Sequence, residues 1–212
     1  MQLIGMLDSP YVRRVAISLQ LLKLPFEHRS LSVFSTFAEF QRINPVVKAP
    51  SLVCDDGTLL MDSTLILEYA EALTAPANSL MPKALGQRLQ ALQIIGLALV
   101  ACEKSVQIVY ERNLRPAEKR HEPWLDRVTG QLLAAYDLLE AWLERQPAAA
   151  QGIPLDQAGI SLAVAWHFTQ QMIADRVPAA NYPRLQAFSA RAEKLPAFLA
   201  APHGANTYQP GV

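Results

Sequence analysis

Three short stretches near the N-terminus combine polar side chains with exposed backbone polarity. Ser9-Pro10 precedes Val12, Val15, Ala16, Leu19 and Leu22, which recur at helical spacing. Ser9 thus falls at an N-cap and Pro10 at the first helical position, where its missing N–H costs nothing. A helix start offers unpaired N–H groups and the positive end of the helix dipole, and both favour an anion. Asp62-Ser63 opens a second run, Leu65, Ile66, Tyr69 and Leu73. Both are good N-cap residues for the helix that this run predicts. Between the two runs, Lys48-Ala49-Pro50 heads an apolar run, and a strand's first residue is a place where proline is tolerated. The backbone of Ala49 is thereby left to face a ligand.

The elements that must carry these residues follow from local signals. Gln2 to Met6 is a short apolar run that suits a buried parallel strand. The first helix ends before Pro25, and Phe26 to Leu31 alternates as a second strand. Thr36 to Ile43 suits a short helix stopped by Asn44-Pro45. Ser51 to Cys54 and Leu59 to Met61 flank Asp55-Asp56-Gly57-Thr58, an Asp-Gly turn between β-type runs, and so predict a hairpin. The order is β-α-β-α-β-β-α, which predicts a thioredoxin-like, four-stranded mixed sheet with helices on both faces.

The succession of basic residue, small residue, proline, strand, turn, strand, acid-serine and helix resembles the glutathione-binding half of the glutathione S-transferase family. The resemblance implies that the bond into Pro50 is cis. It implies that Ala49 offers its backbone to the cysteinyl part of glutathione, and that Asp62 and Ser63 hold the γ-glutamyl end. In the family valine is commoner than alanine before the proline, and glutamate commoner than aspartate before the serine. Neither departure removes the group needed. In serine-type members the position of Ser9 donates its hydroxyl to the glutathione thiolate. Ser9 is read either so or as a helix cap alone, the two roles competing for one hydroxyl. Some bacterial relatives use backbone N–H groups instead, which brings in Tyr11 and the amides beside Pro10. Lys48 either pairs with the glycyl carboxylate or is a solvated loop lysine. A serine at position 9, in place of a cysteine, points to glutathione itself as the nucleophile rather than to a mixed disulfide on the protein.

Lowering an ordinary thiol pKa of about 8.5 by roughly two units requires about 2.7 kcal/mol. A hydroxyl bond to a charged group, about 1.5–3 kcal/mol, together with a helix end is of that order.

The remaining chain sets bounds. Nineteen basic and nineteen acidic side chains cancel, so the charge footprint of a nucleic-acid or membrane-surface binder is missing. Cys54 and Cys102 form no Cys-x-x-Cys motif, and the four histidines lack zinc-ligand spacing, so no metal is expected. Ile94 to Ala101, the longest apolar stretch, is interrupted by Gly96 and is far short of the roughly 20 residues a bilayer span needs. No signal-peptide pattern opens the chain, and a soluble cytoplasmic protein is expected.

Residues 74–82 carry two prolines and no periodicity. The expected organisation is a thioredoxin-like domain over 1–76, a linker over 77–84 and an all-helical domain over 85–212. Helices are expected at 84–112, 122–146, 157–174 and 184–194, with a turn near 197–200. The resemblance extends to this two-part architecture and implies a homodimer. An electrophile pocket is expected between the domains, with Tyr110, Arg112 and Arg115 as polar handles and Trp166 as a wall. The activity implied is attack of the glutathione thiol on a small hydrophobic electrophile. The alternatives are a glutathione-dependent peroxidase, isomerase or dehalogenase on the same site, or a binding protein that has kept only the fold.

Overall fold

Four three-residue strands form the sheet: β1 (Gln2–Ile4), β2 (Glu27–Arg29), β3 (Ser51–Val53) and β4 (Leu59–Met61). They lie in the order β2-β1-β3-β4, with β1 parallel to β2 and antiparallel to β3, and β3 antiparallel to β4. This is the expected mixed sheet. The computed structural model describes residues 1–146 and 155–209.

The chain divides into two units, Met1–Pro82 with Lys194–Val212, and Lys83–Glu193. Residues 194–212 therefore differ from the expected assignment, since they belong with the first unit and not with the helical one. The physical reason lies in helix α1 (Pro10–Leu21), whose Arg13 is buried. Arg13 Nε donates to the Ala201 carbonyl at 2.8 Å, and its guanidinium stands 5.5 Å from the centre of the Phe198 ring. The short helix α8 (Pro196–Leu199) packs on α1 accordingly.

In the first unit, Ile4, Leu31 and Phe40 of α2 (Phe37–Ile43) form a core cluster joined by Ile43, Ala49 and Val53. Strand alternation turns Leu3 to the other side of the sheet, and α1 packs on β1 and on α3 (Ser63–Leu73). Helix α1 is buried from Val12 through Leu19. Strand β1 ends at Gly5, whose φ is +138°; a Cβ there would lie 2.6 Å from Val12 Cγ2 and 3.2 Å from Ala49 Cβ. Gly5 is thus the point at which the first helix and the residue before Pro50 close on the end of the central strand.

The second unit consists of α4 (Leu85–Asn113), α5 (Glu122–Glu144), α6 (Gln157–Ile173) and α7 (Pro183–Ala192). Helix α6 is buried on every side from Gln157 to Trp166. Its N-cap Asp156 accepts from Gly159 N–H at 2.9 Å, the single-sided cap expected where glycine cannot reciprocate. Tyr136, Thr169 and Ser105 form a buried hydroxyl chain, with contacts of 2.6 Å and 2.7 Å. Helix α4 is long and apolar enough to cross a bilayer by length and composition. In this fold it packs along α5 and α6 with Ala91, Ile94, Ile95 and Ala98 buried.

Replacing Gly5 by alanine forces a Cβ against a β-branched side chain at a φ that L-residues resist. Overpacking costs about 1–3 kcal/mol and the unfavourable φ adds to it. Urea denaturation of Gly5→Ala is expected to show a loss of about 3 kcal/mol, and an unchanged midpoint would contradict the packing described.

Candidate functional site

Helix α1 is capped by Ser9 and reaches the Asp62-Ser63 stretch through Arg14, while Ala49 lies against Gly5 at the end of β1. Ser9 is the N-cap, at φ −73° and ψ 122°, and its Oγ accepts from Val12 N–H at 3.5 Å. Its own N–H donates to the Met6 carbonyl at 3.2 Å, which fixes the loop leaving β1. The cap engages the hydroxyl oxygen as an acceptor, and among the described residues the Ser9 O–H donates to none. Capping and donation to an anion therefore do not compete for the same part of the group. Tyr11, half-buried, follows on the same turn.

The Ala49–Pro50 peptide is cis. The loop before it is held by side chains that the sequence reading passed over. Buried Asn44 donates from Nδ2 to Ser51 Oγ at 2.8 Å, and Ser51 Oγ donates to the Lys48 carbonyl at 2.6 Å. Asn44 Oδ1 also accepts from Val46 N–H at 3.0 Å. Asn44, read in sequence only as a helix stop, thus sets the path of the backbone into Pro50. Lys48 itself is exposed and pairs with no carboxylate among the described residues.

At the start of α3, Asp62 caps through Oδ1, which accepts from Thr64 N–H at 2.8 Å. Its backbone stands at φ 73° and ψ 124°, a region costly for any residue with a Cβ. Ser63 is buried, and its Oγ accepts from Arg14 Nη1 at 3.1 Å. Arg14 also reaches Thr64 Oγ1 at 3.4 Å. The guanidinium of a residue on α1, 2% exposed, therefore lies beneath the N-terminus of α3. It adds positive charge at that helix start and, by donating to Ser63 Oγ, leaves the Ser63 hydroxyl proton to point elsewhere. Arg13 and Arg14 are both interior residues rather than helix-surface arginines, and neither is placed by these contacts at Ser9. Their shared signal in sequence is slight, since two adjacent arginines on an otherwise apolar helix do not reveal their partners.

Titratable groups nearby have definite settings. Asp8, beside Ser9, has its carboxyl pushed up by burial, an effect partly offset by the facing His203. Burial likewise raises the Cys54 thiol, so this buried cysteine is not a ready nucleophile. No group of three or more His, Cys, Asp or Glu suited to a metal ion occurs among the described residues.

The second unit's candidates fare differently. Trp166, expected as a pocket wall, is 3% exposed and packs edge-on against Tyr136, with ring centres 5.2 Å apart, and against Tyr182 at 5.6 Å. It is a core residue of the helical unit, because α6 buries all its faces. Arg112 pairs with Asp175, and Arg115 with Glu111. Tyr110 is exposed on α4.

Residues 3–78 match the family model described as the glutathione S-transferase N-terminal domain. Over the whole length, the protein is 31% identical to a glutathione transferase family member from Pseudomonas fluorescens solved with bound glutathione. The match covers 100% of this chain and 99% of that one, with a TM-score of 0.80. The chain belongs to the glutathione S-transferase family. Another member of this fold, a glutathione S-transferase from Methylobacterium radiotolerans in complex with glutathione sulfonate, is 26% identical with a TM-score of 0.87, covering 100% of this chain and 98% of that one. The uncharacterized GST-like protein YibF of Escherichia coli is 28% identical over 166 residues, 78% of this chain and 81% of that protein.

The backbone of this transferase-family chain at position 62 makes a direct prediction. Asp62→Ala keeps the unfavourable φ and loses the cap, at a cost of about 1 kcal/mol. Asp62→Gly loses the cap but relieves about 1–3 kcal/mol of backbone strain. Chemical denaturation is expected to rank the glycine variant about 2 kcal/mol above the alanine variant; equal stabilities would mean that position 62 carries no strain.

Proposed function

We propose that the protein is a glutathione transferase of the serine type, acting on a small hydrophobic electrophile. The observation that carries this reading is the presence in the first unit of a serine that caps α1 with its O–H undonated among the described residues, a cis peptide before Pro50, and an Asp62-Ser63 start of α3 tied to α1 through Arg14. In this reading the Ser9 hydroxyl donates to the glutathione sulfur and holds it as the thiolate. The amides of the first turn, Tyr11 among them, add the field of the helix start. The Ala49 backbone pairs with the cysteinyl residue. Ser63 and the first amides of α3 take the γ-glutamyl carboxylate, Asp62 takes the ammonium group, and Lys48 takes the glycyl carboxylate. Tyr110 is retained as a substrate-side handle. The thiolate attacks the electrophilic carbon, a C–S bond forms, and the leaving group departs or the carbon system takes up a proton.

A soluble, cytoplasmic homodimer is part of the proposal. In the first unit α3 exposes Leu65, Tyr69 and Leu73, and in the second unit α4 exposes Leu85, Leu89 and Leu92. Each is a stripe at helical spacing of the kind that a second copy covers. Light scattering is expected to give twice the 23.4 kDa chain mass. The double variant Leu65→Arg, Leu89→Arg is expected to run as a monomer, and a wild-type monomer would contradict the assembly.

The chemistry is tested by the pH dependence of kcat/KM with a chloronitrobenzene acceptor. A thiol lowered by about two units gives a rate that rises through about pH 6.5. Ser9→Ala is expected to move that rise up by one to two units and to cut the rate about 10- to 100-fold near neutrality, with glutathione still bound. A variant with full rate and an unmoved profile would transfer activation to the amides of the first turn. Turnover of peroxides with none of the chloronitrobenzene would favour the peroxidase reading. Failure of the wild type to bind immobilised glutathione would leave a binding protein on a shared fold.

A further inference from the structure

Residues 200–209 return to the sheet as a closed loop. Gln209 N–H donates to the Ala200 carbonyl at 2.8 Å, which brings the loop's ends together. Three contacts hold it against β2 and its flanks: Ser30 Oγ donates to the Ala205 carbonyl at 2.8 Å, the Phe26 and Tyr208 rings lie 4.6 Å apart, and Tyr208 N–H donates to His28 Nδ1 at 2.9 Å. This last bond sets the tautomer. Since Nδ1 accepts, the ring proton sits on Nε2, which donates to the Gly5 carbonyl at 2.7 Å. His28 thus joins the returning loop to the residue from which the chain leaves β1 for Ser9.

We propose that residues 200–209 are a proton-operated latch, closed by neutral His28 bridging Tyr208 N–H and the Gly5 carbonyl, and released when His28 Nδ1 is protonated. An imidazolium presents N–H at both nitrogens, so Nδ1–H meets the Tyr208 N–H donor to donor while the bond to Gly5 persists. The closed latch is expected above the ordinary histidine pKa. Burial lowers the docked His28, the Gly5 carbonyl offsetting part of the effect. A histidine with a depressed folded value binds fewer protons docked than free, so the docking contribution is complete above about pH 6.5 and is lost as pH falls below it.

The charged groups on the surrounding elements are otherwise engaged. On its own strand, Glu27 accepts from Gln2 and Arg29 pairs with Glu39; the N-terminal ammonium before β1 pairs with Asp55. In the loop after β1, Asp8 faces His203 of the latch. Protonating His203 strengthens its attraction to Asp8 and favours docking, and the Tyr208 phenol, raised by burial, titrates far above this range. Acid release therefore reports on His28. Any loosening of the Ser9 loop that follows rests on the glutathione reading above; the docking itself does not.

The test is amide hydrogen exchange of the full-length protein between pH 5.5 and 7.5, corrected for intrinsic exchange and run without glutathione. Protection of the Tyr208 amide is expected to fall about tenfold toward pH 5.5, where an undocked imidazole of ordinary pKa about 6.5 is roughly nine-tenths protonated and the docked arrangement requires the neutral ring. In His28→Asn, Oδ1 replaces Nδ1 as an acceptor that does not titrate, and protection is expected to stay level. Flat protection in the wild type, or a parallel fall in His28→Asn, would overturn the latch. Should the variant fail to fold, nitrogen NMR of the wild type decides, because the Tyr208 amide shift must track His28 protonation and independent titration overturns the proposal. Glutathione binding measured separately at pH 7.5 judges the function without bearing on these outcomes.

Discussion

The start of α1 is the constraint on which the first unit depends. Within six residues it supplies the Ser9 cap, the Val12 side chain against which Gly5 packs, Arg13 toward the returning tail, and Arg14 toward Ser63. Each contact ties a distant part of the chain to one rigid helix, so moving that helix by a single residue's rotation would disperse the site. Functional groups held on such an element keep their geometry better than groups held on loops alone.

Two costs accompany this arrangement. Burying two guanidinium groups is unfavourable unless their N–H groups find partners, and here a carbonyl, a ring face and two hydroxyls offset the loss of water. Holding Asp62 at a positive φ adds about 1–3 kcal/mol of backbone strain. Arg14 and Asp62 both lie at the N-terminus of α3, whereas Arg13 points to the returning tail.

Legibility in the sequence followed the range of the interactions. Ser-Pro, Asp-Gly and Asp-Ser signals act within three or four residues, and they placed the α1 cap, the β3–β4 turn and the α3 start where the structure has them. The helices of the second unit were legible within a few residues because long periodic runs and prolines bound them. What escaped was long-range. The bond from Arg14 to Ser63 spans 49 positions, and that from Arg13 to Ala201 spans 188. No local pattern announces either, and the tail was consequently placed with the wrong unit. Trp166 escaped for another reason: a helix apolar on all sides has no period to tell a wall from a core. Asn44 served two purposes, and the helix stop concealed the link to Ser51.

The most direct test of the account is a crystal structure of the protein with glutathione bound. The account predicts the sulfur within hydrogen-bond reach of Ser9 Oγ, the cysteinyl backbone paired with Ala49, and the γ-glutamyl carboxylate on Ser63 above Arg14. A tripeptide seated away from the start of α1, or bound there with its sulfur turned from Ser9 and the first-turn amides, would contradict it.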